Sequence, residues 1–254
     1  SGSTSTDLIF RTANSGTESE SVRINSSGRL LVGTSSSRSV GYGGHGSIQL
    51  EGTDYQKASI SNVLNSNDAD APSINFAKSR GTSNGSSTVV QNNDKLGVIN
   101  FSAGDGTDIL SQGARITCEV DGTPGSNDMP GRLILATTAD GASTSTERMR
   151  IDSSGNMGLG TASPDTRLDV RTSSGEAFIK TNNGTTSNFF GVDSSNRGFV
   201  GTVTNHALLF STNDQERMRI DSSGRVGINN SSPSQALHIT TSGAGQIRIA
   251  DGSR

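Results

Sequence analysis

One short stretch of this 254-residue sequence brings a thiol and two carboxylates together, at Cys118, Glu119 and Asp121. On an extended strand Glu119 and Asp121 point to the same face about 7 Å apart, a separation that some glycosidases use for their catalytic carboxylates. Acidic side chains on strands are more commonly solvated, and the histidines nearest to Cys118 in the sequence are His45 and His206. We therefore expect Cys118 to be a buried strand residue and the two carboxylates to have no catalytic role.

Two acidic loops and three histidines are the candidates for metal ligands. Residues 67–70 (NDAD) and 105–108 (DGTD) lack the full spacing of a calcium loop, and turn chemistry accounts for both. His45, His206 and His238 are isolated from one another in the sequence. The sequence predicts no catalytic, cofactor-binding or metal-binding residue, and hence a protein that is not an enzyme.

A fifteen-residue pattern occurs three times in the chain, at residues 20–34, 147–161 and 216–230. The three copies read ESVRINSSGRLLVGT, ERMRIDSSGNMGLGT and ERMRIDSSGRVGINN. Duplicated short units are typical of elongated assemblies whose faces cover one another, and enzymes seldom contain them. The repeat therefore indicates a structural role.

Each copy has the spacing of a β-hairpin. In the second copy Met149 and Ile151 alternate with charged residues, the period of two that is typical of a strand with one buried face. An Asn/Asp-Ser-Ser-Gly turn follows, in which Gly155 and its equivalent Gly224 should take the positive φ that closes a bulged hairpin. Four apolar side chains per hairpin should share one inward-facing surface: Val22, Ile24, Leu30, Val32, Met149, Ile151, Met157, Leu159, Met218, Ile220, Val226 and Ile228.

Charged residues occupy the alternate positions of the repeat. The paired arginines, Arg148/Arg150 and Arg217/Arg219, could hold anionic glycans, but outward salt bridges with acids of neighbouring strands are the better expectation. The first copy differs from the others in having Leu31 where they have glycine.

The repeat unit extends beyond the hairpin on both sides. Upstream, residues 8–10, 133–135 and 208–210 each predict a strand that leads into the hairpin. Downstream, a proline and two apolar residues recur in the second and third copies, and the pattern then reaches the end of the sequence. We expect the chain to be a fragment or a processed product. The downstream residues are Pro164, Leu168 and Val170, matched by Pro233, Leu237 and Ile239.

Composition predicts a thin core. Apolar residues make up 29% of the chain and glycine contributes 32 residues, so disorder is the competing interpretation. A net charge of only −3 and the strict apolar alternation argue against disorder. So thin an apolar face needs self-association to cover it, and three chains around one axis would do so. The mildly acidic, aromatic-poor composition gives no surface for nucleic acid, and no apolar run is long enough to span a membrane.

The sequence predicts an all-β fold, an elongated trimeric fibre of repeated hairpins and short meanders, with no convincing helix pattern. It divides into a first shaft repeat (1–40), a β-rich insert (41–131), a second shaft repeat (132–200) and a truncated third repeat (201–254). Gly-, Asn-, Asp- and Ser-rich turns separate the strands predicted in the insert. These strands are residues 47–50, 57–63, 73–77, 88–91, 96–102 and 114–120.

These motifs resemble bacteriophage tail-fibre proteins, particularly those of marine and cyanobacterial phages. In that family such segments form trimeric β-structured shafts, often ahead of a C-terminal intramolecular chaperone that cleaves itself off after trimerisation. That chaperone is not in this sequence. Related fibres can bind iron through His-X-His pairs, a spacing that the three histidines here do not have. The resemblance covers most of the chain and is carried by residues 95–106, 113–116, 130–133, 147–155, 158–161 and 164–170.

The resemblance implies a homotrimeric, structural tail-fibre segment that is extracellular, belongs to the virion and supports host attachment. Its partners would be further copies of itself, other tail proteins and a host-surface glycan or protein, with no nucleic acid and no membrane insertion. The loops at residues 65–71, 81–87 and 122–128 are the best candidates for receptor contact, being polar and free to vary. Two alternatives stay open: a polysaccharide depolymerase on a trimeric β-fibre, and a cellular surface filament or adhesin.

Overall fold

The computed structural model describes residues 6–41 and 43–241. Their regular structure is entirely β, which confirms the predicted all-β fold, and no helix able to cross a membrane occurs among them. The strands are β1 (Leu8–Asn14), β2 (Thr17–Ile24), β3 (Leu30–Val32), β4 (Ile48–Leu50), β5 (Lys95–Ala103), β6 (Ser111–Val120), β7 (Gly131–Thr137), β8 (Thr146–Ile151), β9 (Met157–Leu159), β10 (Leu168–Val170), β11 (Ala177–Asn182), β12 (Ser187–Val192), β13 (Gly198–Thr202), β14 (Leu208–Thr212), β15 (Gln215–Ile220), β16 (Val226–Ile228) and β17 (Leu237–Ile239).

Each copy of the repeat forms a four-stranded unit, made of β1–β4, β7–β10 and β14–β17 respectively. The first three strands of each unit are antiparallel neighbours, as the hairpin spacing predicts. The fourth strand lies beside the third, and in the first and third units this pairing is parallel. A tight turn cannot join parallel strands, so the chain crosses back between them. The end of the predicted third repeat, residues 242–254, lies outside the described residues.

The second unit is enlarged by two strands from the predicted insert. β6 pairs with the edge of β7 and β5 pairs with β6, which gives a six-stranded sheet in the order β10-β9-β8-β7-β6-β5. β11–β13 form a separate three-stranded antiparallel meander, in which the ring of Phe178 packs against those of Phe189 and Phe199. Contacts within the chain divide it into two compact bodies, residues 1–169 and 170–254.

The three hairpin turns close as the sequence predicts. Gly28, Gly155 and Gly224 have φ values of 73°, 76° and 78°, a region that glycine enters without steric strain. In the second copy the Gly155 amide donates to the carbonyl oxygen of Asp152 at 2.9 Å. The Asp152 carboxylate in turn accepts the Asn156 amide at 2.8 Å. Asp or Asn therefore begins the turn because its side chain satisfies the turn's own backbone.

Three of the strands predicted in the insert are absent. Residues 57–63, 73–77 and 88–91 form no β-ladder, so these predictions are wrong, whereas the other three predicted strands correspond to β4, β5 and β6. Alternation of apolar residues predicts only which side chains would share a face. A strand also needs a neighbouring segment with which its backbone forms hydrogen bonds. The predicted insert therefore supplies the fourth strand of the first unit, β4, and two strands of the second unit, β5 and β6, and the rest of its described residues have no regular structure.

Candidate functional site

Each repeat unit presents two rows of apolar side chains on one face of its sheet. Residues directly opposite each other on neighbouring strands point to the same face, so the register defines the rows. The predicted sharing of one face by the hairpin residues is confirmed, and the first and fourth strands extend it. In the first unit the rows are Leu8, Ile24, Leu30 and Ile48, then Phe10, Val22, Val32 and Leu50. In the third unit they are Leu208, Ile220, Val226 and Leu237, then Phe210, Met218, Ile228 and Ile239.

In the second unit the rows continue onto the added strands. Cys118 lies opposite Leu133, and Leu133 opposite Ile151, so the thiol belongs to the same row as Leu133 and Ile151. Cys118 lies in β6 as expected, but it is only partly buried, so the prediction of a buried cysteine is met in its strand position and not in its burial. The hairpin members of the two rows are Ile151 with Met157 and Met149 with Leu159.

The face that carries these rows is the more exposed face of the sheet. Leu133 and Ile99 on the apolar face are 40% and 45% exposed. On the opposite face of the same sheet, Thr117, Ile134 and Ala136 are only 1%, 6% and 2% exposed. The single chain therefore buries the face with smaller and polar side chains and leaves the larger apolar side chains facing outward.

A Glu–Arg clasp, a bidentate ion pair within one strand, occurs in all three units. Its two residues are three apart, a spacing that places side chains on opposite faces of a regular strand. A β-bulge brings the two side chains onto the same face. In the second unit Leu135 pairs with Met149 and Ala136 with Glu147, and Arg148 is the extra residue of the bulge. The clasps are Glu20–Arg23 (2.7 and 2.6 Å), Glu147–Arg150 (2.6 and 2.8 Å) and Glu216–Arg219 (2.6 and 2.7 Å).

In the first and third units the clasp favours the ionised form of its carboxylate. Hydrogen bonds from the partner arginine hold the pKa of Glu20 and of Glu216 below its usual range. The bulge residue Arg148 donates instead to the hydroxyl of Thr137 on the neighbouring strand, at 3.0 Å. The salt bridges predicted for Arg150 and Arg219 with neighbouring strands are therefore wrong, because the bulge brings an acid of the same strand within reach. In the first copy the equivalent Arg23 pairs with Glu20 and also with Asp7, which directly precedes β1.

The connection between the third and fourth strands accounts for the position at which the copies differ. A Cβ atom on Gly158 would lie 2.6 Å from the carbonyl oxygen of Thr161, and one on Gly227 would lie 2.2 Å from that of Asn230. The short connections of the second and third units therefore fold so closely onto the sheet that only glycine fits. The first unit has a longer connection, and Leu31 is fully buried at this position. The connections are residues 33–47, 160–167 and 229–236.

Glu119 and Asp121, the pair with glycosidase-like spacing, share one guanidinium group. Arg132 donates to Glu119 at 2.6 Å, to Asp121 at 2.9 Å and to the Asn93 side chain at 2.7 Å. Burial alone would raise the pKa of Asp121, but hydrogen bonds from Ser153 and Arg132 outweigh it and hold the pKa below its usual range. A carboxylate kept ionised and bound to arginine is poorly suited to act as a general acid.

The other candidate ligand residues take part in turns and loops. Asp105 accepts the Thr107 amide at 2.8 Å and the Ser111 hydroxyl at 2.7 Å, and these bonds lower its pKa to about 2. His45 and His238 each contact a nearby serine hydroxyl. Within the described ranges, no three His, Cys, Asp or Glu side chains are grouped so as to hold a metal ion.

Two of the three loops predicted to contact a receptor line one groove. Residues 81–87 and 122–128 contribute to its walls, and the exposed side chains of Val89 and Met129 lie within it. The groove has a volume of about 780 Å³, and its lining combines serine and threonine hydroxyls with apolar side chains such as Val89, Val90 and Met129. The third loop, residues 65–71, belongs to a different, fully exposed stretch of the chain.

No protein-family model matches this chain, and no curated protein sequence matches it. Among solved structures, it is similar to the carboxy-terminal domain of the bacteriophage T5 L-shaped tail fibre, at 12% identity and a TM-score of 0.34, over 77% of this chain and 99% of that one. The same T5 domain with its intramolecular chaperone domain gives 12% identity and a TM-score of 0.34, over 76% of this chain and 69% of that one.

Proposed function

We propose that this chain is a structural segment of a bacteriophage tail fibre, of the marine and cyanophage kind that its sequence resembles. It acts as a homotrimer in the virion, outside the host cell, and has no enzymatic activity. The observation that carries this proposal is the pair of apolar rows on the open face of each repeat unit. Such rows need a partner surface, and a repeated unit offers the same surface again at each copy.

The exposed area of the single chain supports self-association. The chain exposes 18402 Å². A self-contained monomer of 26.2 kDa exposes about 10,600 Å². Among the described residues 27 large apolar side chains are exposed, whereas five apolar side chains are buried. The surplus is large enough for the interfaces of obligate assemblies, which bury about 2,000–5,000 Å².

A trimer would give each face of the repeat unit's sheet a suitable environment. Three sheets that turn their apolar rows toward a common axis enclose the rows and leave the opposite faces, with the Glu–Arg clasps, at the outside. Two copies could also cover each other as a sandwich, so the number three comes from the resemblance to tail fibres.

The segment supports host attachment by holding the receptor-binding parts of the fibre away from the virion. Receptor contact within the segment is assigned to the groove between residues 81–87 and 122–128, where hydroxyl-bearing side chains suit a glycan or a polar protein surface. The depolymerase alternative has less support because Arg132 binds both Glu119 and Asp121. Reducing-sugar release from host glycans should stay at background, and cleavage that Glu119→Gln abolishes would refute the assignment.

Light scattering coupled to size-exclusion chromatography tests the proposal directly. At micromolar concentration the purified chain should have three times the mass of one 26.2 kDa chain. Negative-stain electron microscopy of the same fraction should show rods. A folded monomer, or a globular particle of any mass, would contradict the proposed function.

A further inference from the structure

A strap of chain, residues 58–77, lies outside every sheet. All residues from 52 to 78 are exposed, including the apolar residues Ile60 (74%), Val63 (75%) and Ile74 (71%). A stretch of this length with exposed apolar side chains is unusual for a chain that acts alone, because such side chains gain free energy only when they are removed from water.

The backbone of the strap also has few partners in the part of the chain that the structure describes. Strap residues form no backbone–backbone hydrogen bond with any other described residue. Their side-chain hydrogen bonds are local, such as that from the Asp70 amide to the Asp68 carboxylate at 3.0 Å. Most of its amides and carbonyls, the Asp70 amide excepted, therefore have the capacity to pair with a second chain.

Ion pairs fix both ends of the strap. Before it, Asp54 accepts the Lys57 amide at 3.1 Å and the Lys57 ammonium at 2.8 Å. After it, Arg80 binds the buried carboxylate of Asp94 through two hydrogen bonds of 2.7 and 2.8 Å, and Lys78 lies 3.3 Å away. These arginine bonds, with the Gln91 amide, hold the pKa of Asp94 far below its usual range. The strap is thus anchored at both ends and uncovered in between, so its middle residues are positioned to contact a neighbouring chain.

The end of the strap lies on the apolar face of its own sheet. A Cβ atom on Gly97 would be 2.8 Å from the Cβ of Phe76, so the phenylalanine is packed directly on that glycine. Ile74 and Phe76 line one cleft with Cys118 and Leu133, which belong to the apolar rows. The strap therefore leaves the sheet on the side where the proposed homotrimer brings further copies.

We propose that the strap crosses between copies of this chain and packs Ile60, Val63 and Leu64 on the apolar rows of a neighbouring copy's six-stranded sheet. The inference rests on the proposed homotrimer and adds the element that joins its chains. Residues 58–73 can reach about 50 Å when extended, whereas a six-stranded sheet is about 24 Å wide. A second copy is the favoured occupant because the same chain supplies both the uncovered strap and the uncovered rows.

Amide hydrogen exchange on the assembled wild-type protein tests the strap. In the trimer the amides of residues 60–76 should exchange at least about tenfold more slowly than an unstructured peptide, while those of the exposed turn at residues 172–175 exchange rapidly. Unprotected exchange across the strap in a protein of trimer mass would overturn the inference and leave the homotrimer intact. A monomer mass would instead overturn the proposed function.

A pair of matched variants tests whether another copy buries the strap. Val63→Asp places a charge at a side chain that is 75% exposed in the single chain, so it should lower the melting temperature only if a neighbour covers it. Ser173→Asp adds the same charge in the exposed turn at residues 172–175, outside the strap, and should leave the melting temperature unchanged. Equal melting temperatures for both variants and the wild type would overturn the inference.

Mixed isotope labelling identifies the copy that the strap contacts. Trimers refolded from equal amounts of unlabelled and ¹⁵N-labelled chains, both carrying benzoylphenylalanine at position 60, are irradiated and digested. Adducts that join an unlabelled strap to a labelled peptide of β5–β7 support a contact between copies. Adducts that join only peptides of the same label would overturn it.

Discussion

Gly227→Ala should destabilise the third repeat unit through one methyl group. The added Cβ would lie 2.2 Å from the carbonyl oxygen of Asn230 and 3.3 Å from the Cγ of Arg219. The first contact is with backbone, which no side-chain rotation relieves, so the connection over the sheet must move. Gly227 does not have a positive φ, and backbone strain therefore does not complicate the comparison.

The magnitude follows from the cost of inserting a group into a packed site. Overpacking by one methyl group costs about 1–3 kcal/mol for each chain. For a chain of this size each kcal/mol corresponds to about 2–4 °C, so the melting temperature should fall by about 2–12 °C. Scanning calorimetry at fixed protein concentration measures the shift, with circular dichroism to show that the sheet content is retained.

Gly198→Ala is the matched control for this change. Gly198 also lies in a strand without a positive φ, and an added Cβ there meets no atom within 4 Å. That variant should be neutral or more stable by up to about 1 kcal/mol, because alanine restricts the unfolded chain. Equal melting temperatures for Gly227→Ala and Gly198→Ala would show that the connection at residues 229–236 does not pack against Gly227 as described.

Three further predictions concern the apolar rows and the ionised groups. Ile151→Asp should weaken the trimer by several kcal/mol per chain through a buried unpaired charge, and a trimer of unchanged stability would show that the wrong face was assigned. The Cys118 thiol should react with a maleimide at least about tenfold more slowly in the trimer than in the unfolded chain, and equal rates would place it outside the interface. Because the folded pKa values of Glu20, Glu216 and Asp94 lie below those of unfolded carboxyls, near 4, the folded state binds fewer protons in acid. The melting temperature should therefore be level above about pH 5 and fall continuously toward pH 2, and a maximum near pH 3 would contradict this.

The sequence allows the apolar rows and their turns to be predicted because both depend on local spacing. Alternation of Met149 with Ile151 specifies a face, and the Asp152-to-Gly155 turn specifies a hairpin, without knowledge of any distant residue. The Glu–Arg clasp is not predicted, since it requires a bulge whose extra residue, Arg148, looks like an ordinary member of the strand. The one available signal is that all three copies repeat the same three-residue spacing of Glu and Arg.

Pairing between distant segments is the part that spacing cannot supply. Residues 57–63 and 73–77 have strand-like composition but pair with no strand among the described residues, whereas β6 pairs with both β5 and β7. The parallel fourth strand is not predicted for a similar reason. A crossing connection, and not a turn, joins it to the third strand with which it pairs. For Glu119 and Asp121 the spacing is predictable, but their shared Arg132 is known only from the register of β6 and β7.

The parallel fourth strand determines the direction in which the chain travels. Four strands joined only by hairpins would return the chain to the end of the unit at which it entered. In the first and third units the last two strands run the same way, so the chain enters at one end and leaves at the other. Each such unit is thus a step forward along the strand direction. In a fibre, adding or removing one whole unit of this kind would change the length of the fibre and leave the direction of the chain along it unchanged.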